Sequence, residues 1–357
     1  MPGQRSGKAK PWWHPDRHAA RRPLLRRRGE ILAAIRAWFA SQGFAEVETP
    51  ALAASPGIEP YLNAFATEIQ GARGGRGTLY LHTSPEYAMK KLLVAGETRI
   101  YQLARCYRNQ ERGATHHPEF TMLEWYRAGA GYRDIMRDCE GLLRATSGDA
   151  GVYRWKGATG DPRLAWDYLS VADAFQRHAG IDLLATAPDP LKPDAARLAA
   201  EARRIGVEPR DADTWDDLFF RVFLERIEPK LGRPAPTILY DYPVSMAALS
   251  RVKPGNPRLA ERFELYVAGL ELANAFGELT DAAEQRRRFL ADQEKRRAMT
   301  GSAYPIDRDF LAALEHGMPP AAGIALGVDR LVMLATGAAD IEDVLWAPVA
   351  DAAGDLD

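Results

Sequence analysis

The chain has 357 residues, 46% of them hydrophobic, enough apolar material for one large domain or two smaller ones. Its formal charge of −1 leaves no global field to draw it to nucleic acid or to an anionic membrane. No apolar run approaches the roughly 18 residues of a membrane span. Cys106 and Cys139 make neither a CxxC pair nor a disulfide framework, which fits a reducing cytoplasm.

In chain order, residues 1–22 are rich in Arg, Pro and Gly and read as a poorly ordered basic arm, either a solvated tail or a contact for an acidic partner. "RRRGEILAAIRAWFASQGF" sets Ile31, Ile35, Trp38 and Phe39 at helical spacing, with Gly43 as a stop. "FAEVETP" is a short extended piece that ends near Pro50. "SPEYAMKKLLVAG" predicts a helix from about Ser84-Pro85. "IYQLARCYR" and "FTMLEWYRA" read as strands around a loop longer than a tight hairpin needs. Residues 132–147 predict a helix, 148–167 a loop, and 168–235 a run of helices broken at "TAPDPLKP" and "GVEPRDAD". "PTILYDYP", "RFELYVA" and "GLELANAF" resume the strands, and a charged helix and a second one near 307–316 follow. "AAGIALGVDRLVMLATG" is a small-residue strand turning into a helix at Asp329. Strands come in neighbouring runs, so the fold class is α+β, an antiparallel sheet with helices packed on it.

Three stretches carry chemistry. In an extended "FTMLEWYRA", Phe120, Met122, Glu124 and Tyr126 share one face. A carboxylate on that face needs a donor, and a ligand ammonium or a neighbouring Arg108 would each serve. Arg108 at the loop mouth can grip a phosphate bidentately. If the chain reverses near Val267–Gly269, Glu264 and Glu271 fall opposite or nearly opposite each other. Like charges so placed repel, and a divalent cation or a shared proton relieves them; otherwise they line a solvated face. Asn274 and Glu278 follow in an apolar segment. In "GIALGVDRL", Gly323 and Gly327 would let a flat ligand approach the backbone, and Asp329 would cap the next helix. Arg330 opposes the helix dipole and looks for an anion, a ring or a surface carboxylate.

Together the stretches resemble the three motifs of the class II aminoacyl-tRNA synthetases, in the lysine branch: "FAEVETP" is similar to motif 1, "CYRNQE…HHPEFTMLEWY" to motif 2 and "GIALGVDRL" to motif 3. "TSPEYAMKKLLVAG" resembles the amino-acid-binding helix of that branch. About 25 residues precede motif 1's helix, too few for the anticodon-binding OB domain of lysyl-tRNA synthetases, so tRNA binding is not expected. The chain is closer to the freestanding elongation factor P β-lysine ligases, with residues 23–350 as one catalytic domain and 168–235 as a helical insertion.

The resemblance implies an ATP- and Mg²⁺-dependent enzyme that adenylates lysine or (R)-β-lysine and passes it to a lysine of elongation factor P, working as a cytoplasmic homodimer. A lysyl-adenylating enzyme with another acceptor (tRNA, lipid or carrier protein), or a non-catalytic ATP or lysine sensor, stand beside it. Carried over residue by residue, Arg108 holds the α-phosphate and Arg330 packs on adenine and reaches the γ-phosphate. Asn109, Gln110, His117, Phe120, Glu271, Leu272 and Gly327 join them around ATP. Glu264 and Glu271 hold Mg²⁺. Ser84, Pro85, Glu86, Glu124, Tyr126, Asn274, Glu278 and Ala325 surround the amino acid. Departures concern Gln110, where the family has glutamate, His117, where the ligases have asparagine, and Thr115, where lysyl-tRNA synthetases have arginine. Ala325 stands where those synthetases have glycine.

Overall fold

The computed structural model describes residues 10–247 and 249–350. The first helix, α1 (Pro15–Ser41), buries Leu25, Ile31, Ile35 and Phe39. It begins inside the expected basic arm, so that expectation is corrected for residues 15–22, while residues 1–9 lie outside the described residues. The physical reason is Arg21, whose buried guanidinium donates to the carbonyls of Glu342, Asp343 and Leu345. A basic composition suggests a solvated tail only when such acceptors are out of view.

After β1 (Ala45–Glu46) comes a small sheet that the patterning did not single out, β2 (Leu52–Ala53), β3 (Ala66–Gln70) and β4 (Arg76–Leu81), in the order β2-β4-β3. All of β3 is exposed, so no apolar alternation marks it. Next are α2 (Glu86–Val94), β5 (Arg99–Tyr107), β6 (Glu119–Ala128) and α3 (Tyr132–Thr146). The expected loop at 148–167 contains a hairpin, β7 (Tyr153–Trp155) and β8 (Ala158–Gly160), which buries Tyr153 and Trp155. Then β9 (Asp167–Ser170) leads through α4 (Val171–Ala179), α5 (Ala195–Arg204) and α6 (Trp215–Val222) to β10 (Thr237–Pro243). Ser170, Asp194 and Thr214 cap the three helices with their side chains, as short polar residues at helix starts should. The hairpin β11 (Leu259–Val267) and β12 (Leu270–Gly277) turns at Ala268-Gly269, both at positive φ. The chain ends through α7 (Ala282–Thr300), α8 (Arg308–Gly317), β13 (Ala321–Gly327) and α9 (Val328–Thr336).

Eight strands form the main sheet in the order β1-β5-β6-β13-β12-β11-β10-β9, antiparallel except for the two edge pairs. One face packs against α1, α3 and α9, with Leu123, Trp125, Ile324 and Leu326 pointing into that core. Phe39 of α1 stacks on Tyr101, ring centroids 4.3 Å apart. The opposite face carries the even-numbered residues of β6, and it is left open between α2 and the loop joining β5 to β6. Because side chains alternate along a strand, burying the odd residues commits the even ones to that face.

Candidate active site

A single transverse row of the sheet builds the acidic part of the site. Gln102 pairs with Glu124, Glu124 with Ala325, Ala325 with Asn274, and Asn274 with Glu264. One register thus aligns five residues from five strands. The neighbouring row sets Tyr126 beside Gly323 and Gly323 beside Phe276. A Cβ on Gly323 would lie 2.2 Å from the Tyr126 ring and 2.7 Å from Glu278 Oε1. Gly323 lines the cavity, and its missing Cβ leaves room for Tyr126 and Glu278 beside it.

A cavity of about 320 Å³ lies over these rows. Glu86, Tyr126, Asn274, Glu278 and Ala325 line one end of it, and Arg108, Phe120, Glu271, Leu272, Gly327 and Arg330 line the other. At the first end, Glu124 is fully buried and accepts from Ser84 Oγ (2.5 Å) and Tyr126 OH (2.8 Å). Burial, with the Glu86 charge beside it, pushes the Glu124 carboxyl up to about 8. Glu278 is also buried, and its carboxyl is pushed up to about 7 by burial against the pull of Lys90. Asn274 Oδ1 and Glu278 Oε1 are buried acceptors with no hydrogen-bond partner among the described residues. Such atoms call for a donor, and an ammonium supplies three.

Sequence patterning missed Lys90. It is fully buried and forms ion pairs with Glu86 and, at 2.5 Å, with Glu278. Burial alone would lower its proton affinity, but the two carboxylates outweigh that and raise it. The Glu86 to Lys90 spacing of four on a helix was the available signal.

At the other end Arg108 lies over the Phe120 ring, 5.1 Å from its centroid. Its Nε is buried and unpartnered among the described residues, and its nearest carboxylate, Glu111, is 4.0 Å away. The fork is unspent. Arg330 is held differently: it donates to the carbonyls of Glu271 (2.9 Å) and Thr115 (3.3 Å) and to His116 Nε2 (2.8 Å). Its expected anion is in part the Glu271 carboxylate, 3.7 Å away. Asp329 does not cap its own helix. Its carboxylate accepts from Arg28 (2.5 Å) and from the Thr121 amide (2.7 Å), and so ties α9 to α1 and β6 beneath the cavity.

A bulge refines the Glu264–Glu271 pairing. Glu264 lies opposite Asn274 and Glu271 opposite Tyr266, the register slipping between Leu265 and Tyr266. The two carboxylates are thus diagonal neighbours on one face. Glu271 lines the cavity, and burial together with the Glu264 charge pushes it up to about 7. Glu264 is set behind it, with its oxygens accepting from Arg262 (2.7 Å) and Tyr266 (2.6 Å). Hard oxygen ligands under mutual repulsion fit a Mg²⁺ that takes its remaining ligands from phosphates.

Of the expected site residues, Asn109, Gln110 and Pro85 lie outside the cavity lining, and His117, which does line it, has its ring nitrogens engaged elsewhere. His117 is 3% exposed, and both ring nitrogens are engaged, Nδ1 with the Glu119 carbonyl (2.6 Å) and Nε2 with the Val349 amide (3.2 Å). His116 instead reaches Arg330 on the cavity wall, and burial and that arginine lower its proton affinity. Gln110 sits at positive φ and accepts from Asn63 Nδ2 (2.9 Å), away from the cavity. Asn109 pairs with the Asn63 backbone and accepts the Gln110 amide. Pro85 precedes α2 and is not part of the cavity lining, whereas Ser84 lines it.

A sheet of this order, with a strand–loop–strand and a strand–helix each presenting an arginine to one cavity, defines a class II synthetase-type ligase. The chain belongs to the tRNA synthetases class II (D, K and N), the family matching residues 10–350. It is also similar to proteins named elongation factor P–(R)-β-lysine ligase. That of Pectobacterium carotovorum is 42% identical over 337 residues, covering 93% of this chain and 96% of its own. That of Photorhabdus laumondii is 43% identical over 334 residues, with the same shares. The Proteus mirabilis protein is 41% identical over 338 residues, 94% and 97%. No helix among the described residues is long and apolar enough to cross a membrane.

Proposed function

We propose that this chain activates (R)-β-lysine or lysine with ATP and transfers it to the ε-amine of a lysine on elongation factor P. One observation carries the reading: the cavity has an unspent guanidinium, Arg108, at one end and unpartnered acceptors, Asn274 Oδ1 and Glu278 Oε1, at the other. A polyphosphate matches the first end and a diammonium amino acid the second. The relatives are named as ligases of (R)-β-lysine to elongation factor P, which matches the second end.

In the first step the amino-acid carboxylate attacks the α-phosphorus of ATP, and pyrophosphate leaves with the bond electrons. Arg108 donates to the α-phosphate oxygens as charge builds there, and Arg330, braced by three hydrogen bonds, meets the γ-phosphate without reorganising. Glu271, with Glu264 behind it, would hold Mg²⁺, which when bound offsets the charge of the phosphates. Glu86, Glu124, Asn274 and Glu278 hold the ammonium groups, so the carboxylate is presented toward phosphorus. In the second step the acceptor amine attacks the acyl carbon, AMP leaves, and the amine gives up a proton. The short β1 strand lies in the stretch that resembles the subunit-pairing motif of this family, which supports a homodimer as the working form.

The test is amino-acid-dependent ATP–pyrophosphate exchange with α-lysine and (R)-β-lysine side by side, followed by intact-mass measurement of purified elongation factor P. Exchange favouring β-lysine with a lysyl-sized mass gain is the expected result. Exchange without a gain would leave adenylation intact and remove this acceptor. No exchange with either amino acid would overturn the reading.

A further inference from the structure

The amino-acid end of the cavity holds more charge than binding alone requires. Three carboxylates converge there from three elements: Glu86 on α2, Glu124 on β6 and Glu278 just beyond β12. Between two of them sits Lys90, fully buried under the Phe310 ring, with no access to solvent and none to a substrate. A buried ammonium is costly unless its partners make it worthwhile. Methionine would fill the same space without that cost, so packing does not account for a lysine here. Its ion pairs reach Glu86 on its own helix and Glu278 on another element.

We infer that Lys90 is a positioning residue for the proposed ligase reaction, a built-in counter-ion that keeps Glu86 and Glu278 ionised and aimed so that the pocket accepts a diammonium amino acid. Once a ligand ammonium has displaced the proton that burial holds on Glu124, three carboxylates and the Lys90 ammonium leave two negative charges, which is the number of ammonium groups on lysine or β-lysine. Lys90 also takes up the space between Glu86 and Glu278. The ligand is thereby directed to the acceptors left unpartnered, Asn274 Oδ1 and Glu278 Oε1. Without Lys90, two carboxylates confront each other in a dry site and one takes up a proton. A protonated carboxyl is a poor partner for an ammonium.

This inference rests on the functional reading above, and its test separates the two. Lys90→Met removes the charge and keeps the shape, and Lys90→Gln keeps a donor but no charge, should the methionine variant not fold. Lysine-dependent pyrophosphate exchange is followed from about pH 7 to 9 in each. The groups facing Lys90 and its partners are Glu86 on α2, Glu124 and Tyr126 on β6, Glu278 with Arg251 near it, and Glu59 from the segment before β3. Loss of the ammonium raises the proton affinity of Glu278. The expected result is a KM for the amino acid about tenfold or more higher at neutral pH, one pKa unit or more of carboxylate ionisation. That defect should shrink as pH rises, with a smaller effect on kcat. A KM that is unchanged, lowered, or raised equally at every pH would overturn the inference. Absence of exchange in the unsubstituted enzyme would instead overturn the functional reading, and this inference with it.

Discussion

Replacing Glu124 by glutamine should stabilise the empty protein near neutral pH while abolishing amino-acid binding. In the folded chain this carboxyl titrates at about 8, against an ordinary value of 4.5. A raised pKa means that the folded protein keeps a proton which the unfolded chain has released. The associated stability is fully present below pH 4.5 and is lost as pH rises through 8. Between pH 4.5 and 7 the gap is about 2.5 units, and at about 1.4 kcal/mol per unit the loss is about 3 kcal/mol. Glutamine has no proton to lose. Its carbonyl can still accept from Ser84 and its amide can donate to the Tyr126 hydroxyl, so the packing survives at a cost of about 1 kcal/mol. The net expectation at pH 7 is a variant about 2 kcal/mol more stable than its parent, and no more stable near pH 4.5. Urea denaturation at the two pH values measures this directly. Pyrophosphate exchange measures the loss of function, a trade expected where an active site holds strain. Equal destabilisation of Glu124→Gln at both pH values would refute the argument, because Glu124 would then be carrying no buried proton.

Three further outcomes follow from the same geometry. Glu271→Gln should weaken Mg²⁺-dependent adenylation by a factor of ten or more with little change in melting temperature, whereas Glu264→Gln should lower both, because the partly buried Arg262 loses its counter-charge; a parallel loss of stability and activity in Glu271→Gln would assign that residue a structural role. Gly323→Ala should raise KM for the amino acid sharply, since the new Cβ displaces the Tyr126 ring that it would meet at 2.2 Å; an unchanged KM would show that Tyr126 does not touch the ligand. Ala325→Gly, between Glu124 and Asn274 in the register, should shift the ratio of kcat/KM toward α-lysine; an unchanged ratio would remove Ala325 from isomer selection.

What the sequence determined by itself was whatever depends on neighbours along the chain. Helices marked by periodic apolar residues and polar caps, and strands marked by alternation, were legible, as was the common face of Phe120, Met122, Glu124 and Tyr126. The placement of Glu124, Asn274 and Ala325 side by side was not, because register between distant strands is settled by the packing of their buried faces. His117 illustrates the same limit. Its partners are Glu119, two residues on at the start of β6, and the distant Val349, and only the tertiary fold reveals that its nitrogens are used. Arg21 looked like part of a solvated basic arm, yet it and Arg28 are buried against carbonyls and a carboxylate more than 300 residues away. Along the chain, only its spacing from Glu86 sets Lys90 apart from Lys91 in "MKKLL". The function of Lys90 follows from Glu278, 188 positions further on, because a charge has a role only once its counter-charge is in place.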